Sequence, residues 1–375
     1  MVRVLMIVHE MNRGGIENFI MNLYRSVDRS KIQFDFVEHT NNKCAFDDEI
    51  EELGGVIYRC PDYRIFNHFS YVTWWKKFFS EHKEYKIVHS HLDSSANIHL
   101  RIAKKYGLTT IAHSHNSSEG FGIRAIVKSF LKIGFNNCCD FKFACSKEAG
   151  EWLFGKKVNY KVINNGINSE KYIFNEKQRD LLPKQFNVQK NELVLGHIGR
   201  LNKVKNVAFI LEILKELKDL GIKAKFVSAG QGSEYDCLVK KAKALNIEND
   251  VCFLGLRNDI NIIVQAFDVF VFPSFYEGLP VSVIEAQASG LKCLLSDTVS
   301  KEVDITGNVE FMSLENSPKE WAEKITSMIP YERENTQQKI IDAGYDIKTT
   351  ADYLTELYIK LHNRCEENLY GRKTY

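Results

Sequence analysis

Leu193-Val194-Leu195-Gly196-His197-Ile198-Gly199-Arg200-Leu201-Asn202-Lys203-Val204-Lys205-Asn206 reads as a strand, a turn and the mouth of a helix. The first six residues form a nearly continuous apolar run, as a strand does when both of its faces are covered. Gly199 ends the run, and Asn206 is placed to cap a helix over 207–220. There Val207, Ile210, Leu211, Leu214 and Leu217 recur at helical spacing, and Gly221 stops the helix. A strand followed by a glycine turn and a helix is the repeating unit of a parallel, doubly wound sheet.

The unit recurs in both directions along the chain. Downstream, strands are predicted over 225–229, 251–254, 269–272, 292–295 and 310–312; upstream, over 2–8, 34–38, 56–58, 87–90, 110–112, 141–144 and 161–163. A further helix is predicted over 281–289, with Pro280 at its first position and Gly290 after its last turn. The polar stretch 175–191, which contains Pro183, reads as a link. The prediction is an α/β protein of two Rossmann-like, doubly wound domains, residues 1–180 and 181–348. Residues 349–375 supply a helix, with Tyr353, Leu354, Leu357, Tyr358 and Leu361 as its apolar positions, and an unstructured tail.

Composition narrows the class. The 375 residues are too many for one ordinary domain and suit two. With 50 basic and 48 acidic residues the net charge is +2, so no polybasic nucleic-acid surface is expected. No apolar run approaches the roughly 20 residues that span a bilayer, and the start of the chain lacks a signal-peptide pattern. The 9 cysteines are scattered without metal spacing, which suggests free thiols in a cytoplasmic protein. Aromatic residues reach 12%, and their use needs an explanation.

Four segments carry chemistry. Gly14-Gly15 follows the first strand and opens a helix, where the backbone can approach an anion. Arg200 and Lys205 flank the turn after Gly199, and two cations at a helix mouth suit a diphosphate. Gly230 lies in a second glycine-rich strand exit, Ala229-Gly230-Gln231-Gly232. The fourth segment, Phe272-Pro273-Ser274-Phe275-Tyr276-Glu277-Gly278-Leu279-Pro280-Val281-Ser282-Val283-Ile284-Glu285-Ala286, places two glutamates eight positions apart around a helix N-terminus. The amides of Gly278, Leu279 and Val281 can meet a phosphate there, and a carboxylate can accept from paired sugar hydroxyls.

Together these segments resemble the retaining glycosyltransferases of family 4, which have the GT-B fold, two Rossmann-like domains facing a cleft. The resemblance spans almost the whole chain, and it implies that the domain of residues 1–180 binds the acceptor, that of 181–348 the nucleotide sugar, and that the helix of 349–375 crosses back to the first domain. It rests on Gly14-Gly15, on Gly199-Arg200-Leu201 with Lys205-Asn206, and on the E-G-L-P-x-x-x-x-E-A-x-A-x-G run from Glu277. The segments 111–116 and 300–305 resemble enzymes that build capsular or exopolysaccharide repeat units.

The resemblance implies roles for individual residues. Arg200 and Lys205 would neutralise the departing donor diphosphate, Glu285 would hold the ribose hydroxyls, and Glu277 would face the transferred sugar. Arg257 would border the base. His115 would contact the donor sugar, a role that His113, two positions away on the same strand face, could also take. The implied reaction moves a hexosyl or N-acetylhexosaminyl group from a nucleotide sugar, UDP-linked, to a lipid-linked saccharide. Another GT-B activity, such as sugar-nucleotide epimerisation, or a non-catalytic nucleotide-sugar-binding subunit is the alternative.

The pairs His89/His91 and His113/His115 could bind a metal in principle. No metal or other cofactor is expected, because GT-B enzymes generally use none and no D-x-D carboxylate pair is suitably placed. Basic residues beside aromatic ones over 68–86, including Phe69, Tyr71, Trp74, Trp75, Phe78 and Phe79, and over 122–137, suggest contact with an anionic membrane. The expected partners are therefore a nucleotide sugar, an undecaprenyl-diphosphate-linked saccharide and the inner face of the cell membrane.

Overall fold

A computed structural model describes residues 1–116, 129–179, 186, 188, 189 and 191–371, with side chains described up to Cys365. The chain forms two compact units. The first comprises Met1–Gly166 with Ile347–Tyr375, and the second Ile167–Asp346. Each is built on an all-parallel sheet.

In the first unit the strands are β1 (Val2–Val8), β2 (Ile32–Glu38), β3 (Ile57–Arg59), β4 (Ile87–Ser90), β5 (Thr109–Ser114), β6 (Phe141–Ala144) and β7 (Lys161–Val162), in the order β3-β2-β1-β4-β5-β6-β7. The second unit holds β8 (Leu193–Ile198), β9 (Ala224–Ala229), β10 (Val251–Phe253), β11 (Val269–Phe272), β12 (Lys292–Ser296) and β13 (Val309–Met312), ordered β10-β9-β8-β11-β12-β13. Both orders reverse beside the first strand of the unit, and ligands bind at the carboxyl ends of strands at such a switch point.

Alternation along β1 shows why these strands are apolar throughout. Val4, Met6 and Val8 join one core cluster, whereas Leu5 and Ile7 join the cluster on the other face. The helix Ile347–Gly371 covers the first of these faces with Ile347, Ala351, Leu354, Tyr358 and Leu361, a period near 3.6 residues. The backbone stays helical to Gly371, where the sequence suggested a tail; residues 372–375 lie outside the described ones.

The predicted strands match the observed ones to within two residues at each end. Other details differ. The second unit begins at Ile167, ahead of the expected boundary at 180/181, because Ile167 bridges to Asp346 and Tyr172 packs into the second unit's core. Asn206 does not cap the helix Val207–Asp219 with its side chain. It turns the chain with φ +51°, a left-handed conformation that asparagine tolerates, while the Asn202 side chain accepts from the Lys205 amide. Pro280 takes the cap position, one residue before the helix Val281–Ala288.

The aromatic segment is also different from expectation. In the helix His68–Glu81, Tyr71, Trp75, Phe78 and Phe79 are buried in the core with Leu5 and Val88, so Trp75 cannot be a membrane-facing residue. Trp74 stacks on Phe78 and is half-buried. The exposed apolar residues are Ile65, Phe66 and Phe69 before and at the helix start, and Phe130 and Ile133 in the second segment. Ile123, Arg124, Ile126, Val127 and Lys128 of that segment lie outside the described residues. All nine cysteines are free, and no described helix is long and apolar enough to cross a membrane.

Candidate active site

In the second unit the carboxyl ends of β8, β9 and β11 bring the predicted donor residues together. The Gly199 amide donates to the Ala229 carbonyl at 3.0 Å, and the Gly230 amide donates to the Gly255 carbonyl at 2.8 Å. These exits are packed backbone against backbone. A Cβ on Gly230, at φ +146°, would lie 1.9 Å from the Gly199 carbonyl oxygen. The glycine at 230 is thus required by the meeting of two turns. Gly278 is different, because a Cβ there would meet nothing within 4 Å. Neither crowding nor backbone strain within the protein demands a glycine at 278, whereas close approach of a ligand would.

Lys205 and Glu277 are joined by a short chain of contacts. The Phe275 amide donates to the Val204 carbonyl at 2.8 Å, which ties the turn after β8 to the loop after β11. The Lys205 ammonium then lies 2.6 Å from the Glu277 carboxylate, and 4.5 Å from the centre of the Phe272 ring. Burial holds the Lys205 pKa below its ordinary value; Glu277 works against that shift, and the charge of Arg200 adds to it. The Arg200 charge beside Lys205 gathers positive potential at this turn, which an anion would relieve. The helix Val281–Ala288 opens beside Glu277 and has no side-chain cap; the Val283 amide donates to the Pro280 carbonyl at 3.0 Å, and the amides of Val281 and Ser282 ahead of it are placed to meet a ligand. Leu279 and Val281 pack their side chains on the core below.

Glu285 sits on the same helix and is half-buried. It accepts a 2.6 Å hydrogen bond from the Tyr172 hydroxyl. Burial pushes its pKa up to about 7, against the opposing effect of that hydrogen bond. Tyr172 was not foreseen as a site residue; its partner lies 113 positions away, and only the apolar Ile173 and Phe174 after it would have marked it as buried. Arg257 lies in the turn beyond β10, exposed and paired with Asp259 at 2.6 Å. His197 lies beneath the Gly199 turn, bonded through Nδ1 to the Ser228 hydroxyl at 3.1 Å; burial and the Lys205 charge push its pKa down to about 3.

In the first unit Gly14 and Gly15 open the helix Gly15–Ser26. A Cβ on Gly14 would meet only the flexible Glu17 carboxylate at 2.2 Å, and one on Gly15 nothing within 4 Å. Phe19 of that helix lies against His115, with ring centres 5.9 Å apart. His115 follows β5 and is half-buried. Its Nε2 lies 2.9 Å from His91 Nδ1, its ring stacks on His113 at 4.1 Å, and burial pushes its pKa down to about 3. His113 is fully enclosed, so His115 is the more accessible of the two.

Two parallel-sheet domains of Rossmann order, with an anion-ready helix mouth in the second, define a protein of the GT-B class. The first half matches the family model Glycosyltransferase Family 4 over residues 13–171, and the second half matches Glycosyl transferases group 1 over 178–347. EpsF of Bacillus subtilis (strain 168), which carries a glycosyltransferase designation, is 35% identical over 379 residues, covering 96% of this chain and 98% of that protein. The chain belongs to glycosyltransferase family 4. The UDP-Gal:alpha-D-GlcNAc-diphosphoundecaprenol alpha-1,3-galactosyltransferase of Escherichia coli is 26% identical, over 74% of this chain and 76% of that enzyme. Among solved structures, Anabaena Alr3699/HepE in complex with UDP and glucose shares the fold, with a TM-score of 0.71 at 20% identity over 99% of this chain and all of the other.

Proposed function

We propose that this glycosyltransferase moves a hexosyl or N-acetylhexosaminyl group from a UDP-sugar to an undecaprenyl-diphosphate-linked saccharide in capsular or exopolysaccharide assembly, with retention at the anomeric carbon. The observation that carries the proposal is the Lys205–Glu277 pair, 2.6 Å apart, at the mouth of the uncapped helix Val281–Ala288, with the Arg200 charge beside it. As the donor bond breaks, negative charge grows on the diphosphate. Arg200, Lys205 and the helix amides are fixed countercharges for it, already oriented before the reaction starts. Glu277 both holds Lys205 and offers acceptor oxygens to hydroxyls of the transferred sugar. Glu285, held by Tyr172, accepts from the ribose hydroxyls.

No protein nucleophile is assigned. A donor phosphate oxygen takes the proton from the attacking hydroxyl on the face that the leaving group vacates. The acceptor bond therefore forms on that same face, and configuration is retained. Arg200 and Lys205 supply the countercharge, so the departure step is assigned no divalent ion. His115, fixed by His91, is assigned to a hydroxyl of the donor sugar.

The acceptor is assigned to the first unit, supported by a cavity of about 570 Å³ lined in part by His9, His39, Asn41, Asp62, Arg64 and Phe66. Phe66, which lines it, and Phe69, three residues on, are 82% and 86% exposed and suit the lipid portion at the inner face of the membrane. The testing experiment incubates the protein with UDP-sugars and a detergent-solubilised undecaprenyl-diphosphate saccharide. The expected result is UDP release with an acceptor one sugar longer. UDP-sugar conversion without acceptor elongation would indicate epimerisation instead, and failure of every nucleotide sugar to bind would remove the transferase assignment.

A further inference from the structure

Four imidazoles converge on one face of the first sheet. His89 pairs in register with Ile111, and alternate residues of a strand share a face, so His89 and His91 stand on the same side as His113 and His115. Phe19, Phe143 and Tyr358 border the cluster. His89 and His113 are fully enclosed, and His91 is 4% exposed.

The hydrogen bonds sort the ring nitrogens into two sets. His89 Nδ1 lies 2.6 Å from the Tyr358 hydroxyl, and His91 Nδ1 lies 2.9 Å from His115 Nε2. His89 Nε2 and His91 Nε2 are buried without a hydrogen-bond partner; neither nitrogen of His113, nor His115 Nδ1, makes a well-formed bond, although the Ile163 backbone interacts with the first ring and Asn165 with the second. Orphaned buried polar atoms are costly and uncommon, and here they gather on neighbouring imidazoles. One ligand nitrogen from each of His89, His91 and His113 lies within 4.8 Å of the others.

We propose that His89, His91 and His113 form a binding site for a divalent transition-metal ion of zinc type within the first unit. Three imidazoles are a common protein ligand set for zinc. Metal-binding histidines usually use their second nitrogen in an outer hydrogen bond that fixes the ring, as Tyr358 does for His89 and His115 for His91. Zinc–nitrogen bonds of about 2.0–2.1 Å place tetrahedral ligand atoms roughly 3.4 Å apart, so modest ring rotations close the site. The aromatic wall would give it a dry surround. A second group, Glu38, Cys44 and Asp47, offers ligand atoms at similar spacing. There the Arg59 guanidinium already lies on both carboxylates, so no cation is called for.

Such an ion would tie β4 to β5 and, through Tyr358, to the C-terminal helix. It would also hold His91 and hence His115 in orientation. It supplies no step of the transfer chemistry proposed above. The sequence alone weighed against metal here, by the habit of the resembled family; the convergence of unpartnered nitrogens reverses that weight.

The test uses the full chain without a histidine tag, stripped with chelator and titrated with Co²⁺ and then Zn²⁺. Expected are about one equivalent of cobalt with the visible d–d band of a tetrahedral site, displacement of that band by zinc, and a raised melting temperature. His113→Asn and His91→Asn should each abolish the band, whereas Lys205→Ala, which disables the donor site, should leave it intact. Folded wild-type protein with neither the band nor stoichiometric uptake overturns the proposal. So does undiminished binding in both histidine variants. Neither result bears on transfer activity, which is measured separately.

Discussion

Replacing Lys205 with alanine removes the cation that the structure holds between Glu277 and the mouth of the helix Val281–Ala288. Two effects separate. For stability, the side chains of Lys205 and Glu277 are only 14% and 21% exposed, so the variant leaves a carboxylate largely out of water and unpaired. That costs about 1–3 kcal/mol. For catalysis, a unit charge about 4 Å from the diphosphate is worth about 4 kcal/mol at an effective dielectric of about 20. At 1.36 kcal/mol per tenfold in rate, this would be about a thousandfold. Arg200 and the helix amides remain, so the expected loss in kcat is about 10²–10³, the range seen on removing one preorganised electrostatic group. The double variant Lys205→Ala/Glu277→Gln separates the two effects: it should regain most of the lost stability and none of the lost rate. The assay is UDP release in the presence of the lipid-linked acceptor, with circular dichroism to confirm the fold. A folded Lys205→Ala enzyme within threefold of wild type would refute the electrostatic assignment.

Further outcomes follow from other residues. Glu285 has a folded pKa near 7, above its unfolded value, so its contribution to stability is full below the unfolded pKa and is lost as pH rises through 7. Glu285→Gln should therefore gain stability relative to wild type between about pH 4.5 and 7, as thermal melts across that window would show, while weakening UDP binding. Tyr172→Phe removes the hydrogen bond that favours the carboxylate, so the midpoint of pH-dependent UDP binding should move upward; an unchanged midpoint would exclude Tyr172 as the positioning residue. Gly230→Ala should prevent correct folding of the second unit because of the 1.9 Å approach to the Gly199 carbonyl. Gly278→Ala should keep the wild-type melting temperature yet lose donor affinity, measured by calorimetry. Wild-type protein should co-sediment with anionic liposomes at low salt and Phe66→Ser/Phe69→Ser should not; equal sedimentation of both would remove these residues from any membrane contact.

Much of the fold could be read from the residues because both sheets are parallel and covered on both faces, which leaves unbroken apolar runs such as Val2–Val8 and Val269–Phe272. The position of the turn after β8 and of the loop after β11 could be read because each is a short, contiguous segment between a strand and a helix. What could not be read depends on contacts distant in sequence. Trp75 lies in a helix with aromatic residues on several sides, so periodicity could not distinguish core from surface, and burial beneath the sheet decided it. The unit boundary at Gly166–Ile167 is set by packing of Ile167 and Tyr172, not by the polar composition that follows them. The Tyr172–Glu285 bond and the link from His91 to His115 join residues on different elements, and no local pattern announces them. The glycines at 230 and 278 look alike as sequence, yet one is required by a neighbouring carbonyl and the other faces open space.

The most direct test of the account is the configuration of the bond that the enzyme makes. The elongated lipid-linked saccharide, formed from a UDP-α-sugar, would be cleaved from its carrier and its new anomeric coupling constant read by proton NMR. The account predicts an α-linkage, with transfer about a hundredfold or more slower once Lys205 is lost. A β-linkage, or transfer within threefold of wild type after loss of both Lys205 and Glu277 in folded protein, would contradict it.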